Sequence, residues 1–204
     1  MREYAVLVAS ILYGVATIVY CILAVRRKIE PVFATWLIFG IAIFLGLLTY
    51  FSQSQDSTSA IRYASSIIDF FTVWGVVLLL LILQKKSAWR FNRFQAICLA
   101  VVAVILVFWF VSKEHVISNL LLQSLMVVAY FPTINQLRIS KTNTESFLVW
   151  VMIGIGSIIL LYPAYTGKDL LSRVYATRAT ISILTLLVMM LWVEIRVKKL
   201  KGGH

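Results

Sequence analysis

Seven long apolar runs dominate the sequence, at about 5–25, 32–51, 61–84, 94–112, 116–136, 146–165 and 171–195. A helix needs about 20 apolar residues to cross the hydrocarbon core of a bilayer, and each run meets that length. With 61% hydrophobic and 13% charged residues, the chain has too little polar surface to face water, since soluble domains are about half apolar and a quarter charged. A soluble enzyme, a disordered chain and a secreted disulfide scaffold are thereby excluded. An outer-membrane barrel is excluded too, because its strands alternate apolar and polar residues in short segments. Seven such spans take up most of the 204 residues, so no soluble domain fits and any function must reside within or between the helices. The first run reads as a permanent helix, not a signal peptide. Its leader Met1-Arg2-Glu3 has no net positive side-chain charge, and no small-x-small cleavage site follows.

Six short polar linkers join the runs: 26–31, 52–59, 84–93, 111–115, 138–145 and 165–169. Connections of that length predict antiparallel neighbours. Of the 19 Lys and Arg, 13 fall in the first, third and fifth linkers and at the C-terminal end: Arg26, Arg27, Lys28, Lys85, Lys86, Arg90, Arg93, Arg138, Lys141, Arg196, Lys198, Lys199 and Lys201. The other six are Arg2, Arg62, Lys113, Lys168, Arg173 and Arg178. Positive charge collects on the cytoplasmic side of membrane proteins, so the N-terminus is expected outside and the C-terminus in the cytoplasm. This orientation signal accounts for most of the net charge of +11, and a nucleic-acid partner is not expected. The same basic ends suit anionic lipid headgroups.

An internal repeat organises the runs. At an offset of 114, Phe33, Trp36 and Gly40 fall on Phe147, Trp150 and Gly154, so F-x-x-W-x-x-x-G opens both the second and the sixth run. Arg62-Tyr63-Ala64-Ser65 loosely matches Arg173-Val174-Tyr175-Ala176-Thr177 at 111 or 112. The expected organisation is an all-α membrane protein of seven transmembrane helices in a 3+1+3 arrangement. Residues 5–84 form the first three-helix unit, 94–112 a linker helix and 116–195 the second unit. One linker helix between two triplets restores the starting orientation, which makes the units parallel repeats about an axis along the membrane normal. Repeats of that kind occur in transporters whose solute site lies near the midplane between them.

Tyr130-Phe131-Pro132-Thr133-Ile134-Asn135-Gln136-Leu137, followed by Lys141-Thr142-Asn143-Thr144-Glu145-Ser146 and Trp150, resembles the PQ-loop signature of the SWEET and SemiSWEET sugar transporters and their relatives. The 3+1+3 plan resembles a full-length SWEET over the whole chain, an architecture shared by vitamin-precursor transporters of the PnuC type. The first unit, with Pro31, Thr35-Trp36 and Thr49-Tyr50, is similar to an uncharacterised prokaryotic group of seven-helix proteins. The resemblance implies a prokaryotic plasma membrane protein that carries a small polar solute, a sugar or similar, by alternating access through a central cavity, with a homo-oligomer left open. It also implies gating at Pro132, with Tyr130 beside it and Tyr20 on the first run. Departures are visible: the signature dipeptide is Pro132-Thr133, the first unit has no proline inside its first helix, and the asparagine that SWEETs carry in the third helix of each unit is missing. KDEL receptors resemble SWEETs without transporting sugar, so a receptor or sorting protein is the alternative.

Among individual residues Asp69 is the most informative. It lies about two turns into the third run, where a charge costs roughly 3 kcal/mol and needs a partner or a function. Arg178, on the seventh run, has a matching depth, and an Asp69–Arg178 pair across the central cavity is expected. It reads either as a solute-binding or proton-coupled carboxylate gated by arginine, or as a structural ion pair between the units; Arg178 could instead snorkel to headgroups. Trp74 offers a stacking surface or plain packing bulk. Gln123, with Asn119 and Ser124, and Thr185, with Thr177, Thr180 and Ser182, can line a polar cavity, as can Ser10, Tyr13 and Tyr20; each can equally be a hydroxyl or amide that holds helices together. Trp36 and Trp150 read as interfacial anchors. Cys21 and Cys98 read as small buried hydrophobes, and His115 and His204 supply no metal cluster, so no metal or cofactor is expected. Catalysis is not expected either. No histidine lies inside a run to serve a serine nucleophile, and no lysine lies in the core of the seventh run to hold retinal.

Overall fold

A computed structural model describes residues 1–53, 60–112, 114–140, 142–167 and 170–201, with the side chains of 49–66, 68, 115, 200 and 201 also outside the description. Residues 54–59 of the second linker, Lys113, Lys141 and Lys168, and the side chains of Arg62, Tyr63, Ser65 and Lys201 therefore lie outside the described residues. The described chain is helical: α1 (Arg2–Val25), α2 (Phe33–Gln53), α3 (Ala60–Gln84), α4 (Arg93–Val111), α5 (His115–Val128), α6 (Tyr130–Ile139), α7 (Phe147–Thr166) and α8 (Leu170–Lys201), with one 3₁₀ turn at Lys85–Trp89. Six stretches are long and apolar enough to cross a membrane, and α2 adds a shorter apolar segment, Phe33–Leu48. Leucines, isoleucines and phenylalanines are exposed along most helices, as a surface in contact with lipid requires. The protein is integral to a membrane.

Helix ends follow local chemistry. The Asn92 side chain accepts from the Gln95 backbone N–H at 2.8 Å while Gln95 accepts from the Asn92 backbone at 3.1 Å, a reciprocal cap that starts α4. At the end of α1, Arg27 takes a left-handed conformation, φ 53°, with Lys28 N–H bonded to the Leu23 carbonyl and Arg27 N–H to that of Ala24. This is the closing pattern that usually employs glycine.

The run expected as one helix over 116–136 divides at Ala129 into α5 and α6. Pro132 is the reason: it has no N–H for the Val128 carbonyl, and its ring crowds that carbonyl. The break leaves Pro132 in the first turn of α6, where no N–H is needed.

Helix α3 packs on both α1 and α2, which also meet each other through Tyr20 and Trp36. In the same way α8 packs on α7 and on α5 and α6. Gly40 of α2 admits Trp74 of α3, whose ring atom Cε2 would lie 3.3 Å from an added Cβ; Gly154 of α7 faces Ile183 and Leu187 of α8 at 3.5 and 3.6 Å. Between these groups α1 packs on α7 and α2 on α5 and α6. Three contacts place α1 and α7 antiparallel along their length. Arg2 bonds to the Thr166 hydroxyl and carbonyl at one end, Tyr13 lies on Gly156 in the middle, and Tyr20 meets Glu145 at the other. That last end carries Arg26, Arg27, Lys28 and Arg138 and is called the basic end below.

Candidate functional site: polar layers between the helix groups

Two polar layers lie along the seam. The layer at the basic end is closed and buried. Glu145, in the linker before α7, is 5% exposed. Its Oε1 accepts from the Tyr20 hydroxyl at 3.2 Å and its Oε2 from the Trp150 indole N–H at 2.9 Å. The Tyr20 oxygen in turn accepts from the Trp36 indole N–H at 3.0 Å, and the Tyr20 and Trp36 rings are 4.8 Å apart. The Asn143 side chain takes the backbone N–H of Glu145 at 3.1 Å. Nearby the Thr35 and Thr133 hydroxyls bond at 2.8 Å, joining α2 to α6, and Glu30 N–H donates to the Thr144 carbonyl at 2.9 Å, joining the two linkers. Burial pushes the Glu145 carboxyl up to about 7, while the hydrogen bonds from Trp150 and Tyr20 pull toward the ionised form.

This layer corrects one expectation and adds a residue the sequence reading passed over. Trp36 and Trp150 are not interfacial anchors, for they are 7% and 3% exposed and spend their indole N–H groups on the buried network. Glu145 was missed because it sits among Lys, Thr and Asn in a short linker, a composition that reads as a solvated turn. The available signal was the matching F-x-x-W-x-x-x-G pattern that carries Trp36 and Trp150 at an offset of 114, with an acid five residues before Trp150.

The second layer lies nearer the middle. Arg178 of α8 donates from Nε to Gln123 Oε1 of α5 at 2.8 Å, with its guanidinium 5.2 Å from the centre of the Tyr175 ring. Gln123 Nε2 reaches Asn119 at 3.4 Å. The expected Asp69–Arg178 ion pair is absent among the described residues. Their helices α3 and α8 belong to different packing groups, and the acceptor within reach of Arg178 is Gln123, on the neighbouring helix.

The remaining candidates divide. Tyr130, Arg178 and Thr185 line one cleft of about 670 Å³ between α5–α6, α7 and α8, beside Phe131 and Ile181. Phe131 and Ile181 are 44% and 59% exposed, so the cleft opens on the outer face of the bundle, not at its centre. Thr185 is exposed and its hydroxyl bonds to the Ile181 carbonyl at 2.9 Å, which uses its polarity within α8. Trp74 packs on Gly40 between α2 and α3, its indole N–H buried without a partner; packing is its observed role. Pro132 is buried at the head of α6 and Tyr130 is buried against Phe39 and Trp150, with ring centres at 5.0 and 6.1 Å. Tyr20 is fully buried in the basic-end layer. Gln136, from the signature octet, lines a separate hollow of about 420 Å³ at the basic end with Arg27, Glu30, Gln84 and Arg90. Among the described residues no group of three His, Cys, Asp or Glu is placed to hold a metal.

No protein-family model matches the chain, and no curated protein matches it significantly.

Proposed function

We propose that this protein is a SWEET-like transporter that moves a small polar solute, a sugar or similar, by alternating access between two three-helix units. The observation that carries the reading is the seam itself. Polar and ionisable side chains are costly in a membrane and concentrate where solutes or ions pass; here the Tyr20, Trp36, Glu145 and Trp150 network lies between the two helix groups, and Arg178 and Gln123 bond within the second group. We assign Gln123 and Arg178, beside Tyr175, to the solute layer; Tyr20, Trp36, Glu145, Trp150, Thr35 and Thr133 close the basic end below it. The packing supports the repeat: the third helix of each unit packs on the other two, and Gly40 and Gly154 each admit that third helix. At the offset of 114, Thr144 is also the counterpart of Glu30, and the two linkers bond to each other there. With positive charge inside, the basic end faces the cytoplasm and the N-terminus lies outside.

A thermal-shift screen of the purified protein against sugars, vitamins and amino acids tests the reading. A stabilising solute whose effect is lost in Arg178→Ala and in Gln123→Ala is the expected result. Stabilisation by none of the three classes counts against transport.

A further inference from the structure

Glu145 ties three helices together, and among the described residues it has no counter-ion. Its oxygens are held by Tyr20 of α1 and Trp150 of α7, and Tyr20 takes the indole N–H of Trp36 from α2. Among the described residues no cation comes within ion-pair distance of it. The groups that face it are Tyr20, with Cys21 next in sequence, from α1; Thr35 and Trp36 from α2; Tyr130 behind Trp150; and Asn143 of its own linker. Tyr20, Cys21 and Tyr130 titrate, and in their ordinary ranges all three are neutral at pH 7. A carboxylate in such a place has hydrogen bonds but no opposite charge to offset the loss of water.

We propose that Glu145 is a proton-binding site, and that closing the basic end against water is coupled to proton uptake on its carboxyl. When the 142–146 stretch parts from α1, water reaches the group and it gives its proton to the solvent on that side, leaving the carboxylate. When the linker docks again, the carboxyl takes a proton back from the same side before it is enclosed. Burial raises this group to about 7 in the closed form, so acid favours closure and alkali favours opening. The proton is exchanged with one side only, so it regulates closure and is not carried across; its regulation of transport rests on the transporter reading, and proton binding on closure does not.

Thr144 reports the opening, since it adjoins Glu145 and is 6% exposed. In a background with Cys21→Ala and Cys98→Ala, Thr144→Cys is labelled with an impermeant maleimide from pH 6 to 8.5, and its rate is divided by that of the exposed Arg26→Cys to cancel thiol ionisation. The expected ratio rises about tenfold or more across that range. Glu145→Gln, which imitates the protonated group, holds the ratio low and flat. Tyr20→Phe removes a bond that favours the carboxylate and moves the midpoint to higher pH. A flat ratio with Glu145 intact, or the same rise in Glu145→Gln, overturns the proposal. Should Glu145→Gln not fold, tryptophan emission decides. The native protein then shows a transition near neutral pH that Tyr20→Phe shifts upward, and an unshifted transition overturns the proposal. A rising ratio in a protein that binds no solute removes the transporter reading and leaves the proton site. A flat ratio in a protein that does bind one removes the proton site alone.

Discussion

At the scale of the residue, the balance at Glu145 is between lost hydration and two charge-assisted hydrogen bonds, and lost hydration prevails. The consequence for stability has a definite sign. The unfolded carboxyl titrates near 4.3 and the folded one at about 7, so the folded chain holds the proton over the interval between. This contribution is fully present below the ordinary carboxylate range, declines as pH rises through about 7, and is constant above. Its size is on the order of 3 kcal/mol at most. Melting temperatures from pH 4.5 to 8.5 should fall with rising pH in the native protein and fall less in Glu145→Gln; equal slopes would show that the group is hydrated in the fold. Removing a donor acts differently. Trp150→Phe strands a carboxylate oxygen and should cost about 1–3 kcal/mol, whereas Trp192→Phe, at a site 46% exposed, should cost little. Polar residues within apolar runs stood out in the sequence because their surroundings were legible there. The surroundings of Glu145 are made by the docking of its linker onto α1, a contact 125 residues distant, and no local pattern records it.

At the scale of the element, the helices were written in the sequence by run length alone, and α5–α6 shows what run length omits. An apolar count is blind to the missing N–H of Pro132, so the span over 116–139 carries a break at Ala129 that run length does not record. Pro132→Ala restores that donor and should fuse α5 and α6 across Ala129. Backbone amide exchange at Tyr130, Phe131 and Thr133 should then slow, and unchanged exchange there would mean that the neighbouring helices impose the break. Close helix contact is the other property that run length cannot express. A Cβ at Gly156 would lie 2.6 Å from Tyr13 Cε1, while nothing approaches within 4 Å of one at Gly75. Gly156→Ala should therefore destabilise by about 1–3 kcal/mol through overpacking. Gly75→Ala should stabilise by roughly 0.5–1 kcal/mol, the helix-propensity gain of alanine over glycine. Thermal unfolding of the two variants side by side gives the comparison, and equal shifts would remove Tyr13 from the α1–α7 contact.

At the scale of the whole molecule, the seam between the two helix groups must open at one end if a solute is to pass. The basic end is the closed one here: Glu30 and Thr144, equivalent positions of the two linkers, are bonded backbone to backbone at 2.9 Å. Residues in such contact are near enough for a disulfide to be tried without large backbone movement. Glu30→Cys with Thr144→Cys, in the background lacking Cys21 and Cys98, should oxidise readily and hold that end shut. Alternating access then makes an asymmetric prediction. The oxidised protein in proteoliposomes should still bind a solute found by the thermal-shift screen, because the Gln123–Arg178 layer lies on the far side of the lock. It should fail to carry that solute across the bilayer, and reduction of the disulfide should restore flux. Flux through the oxidised protein would show that the pathway does not run past the Glu30–Thr144 contact. Loss of binding together with flux would place the solute site below the lock, in the layer of Tyr20, Trp36 and Glu145.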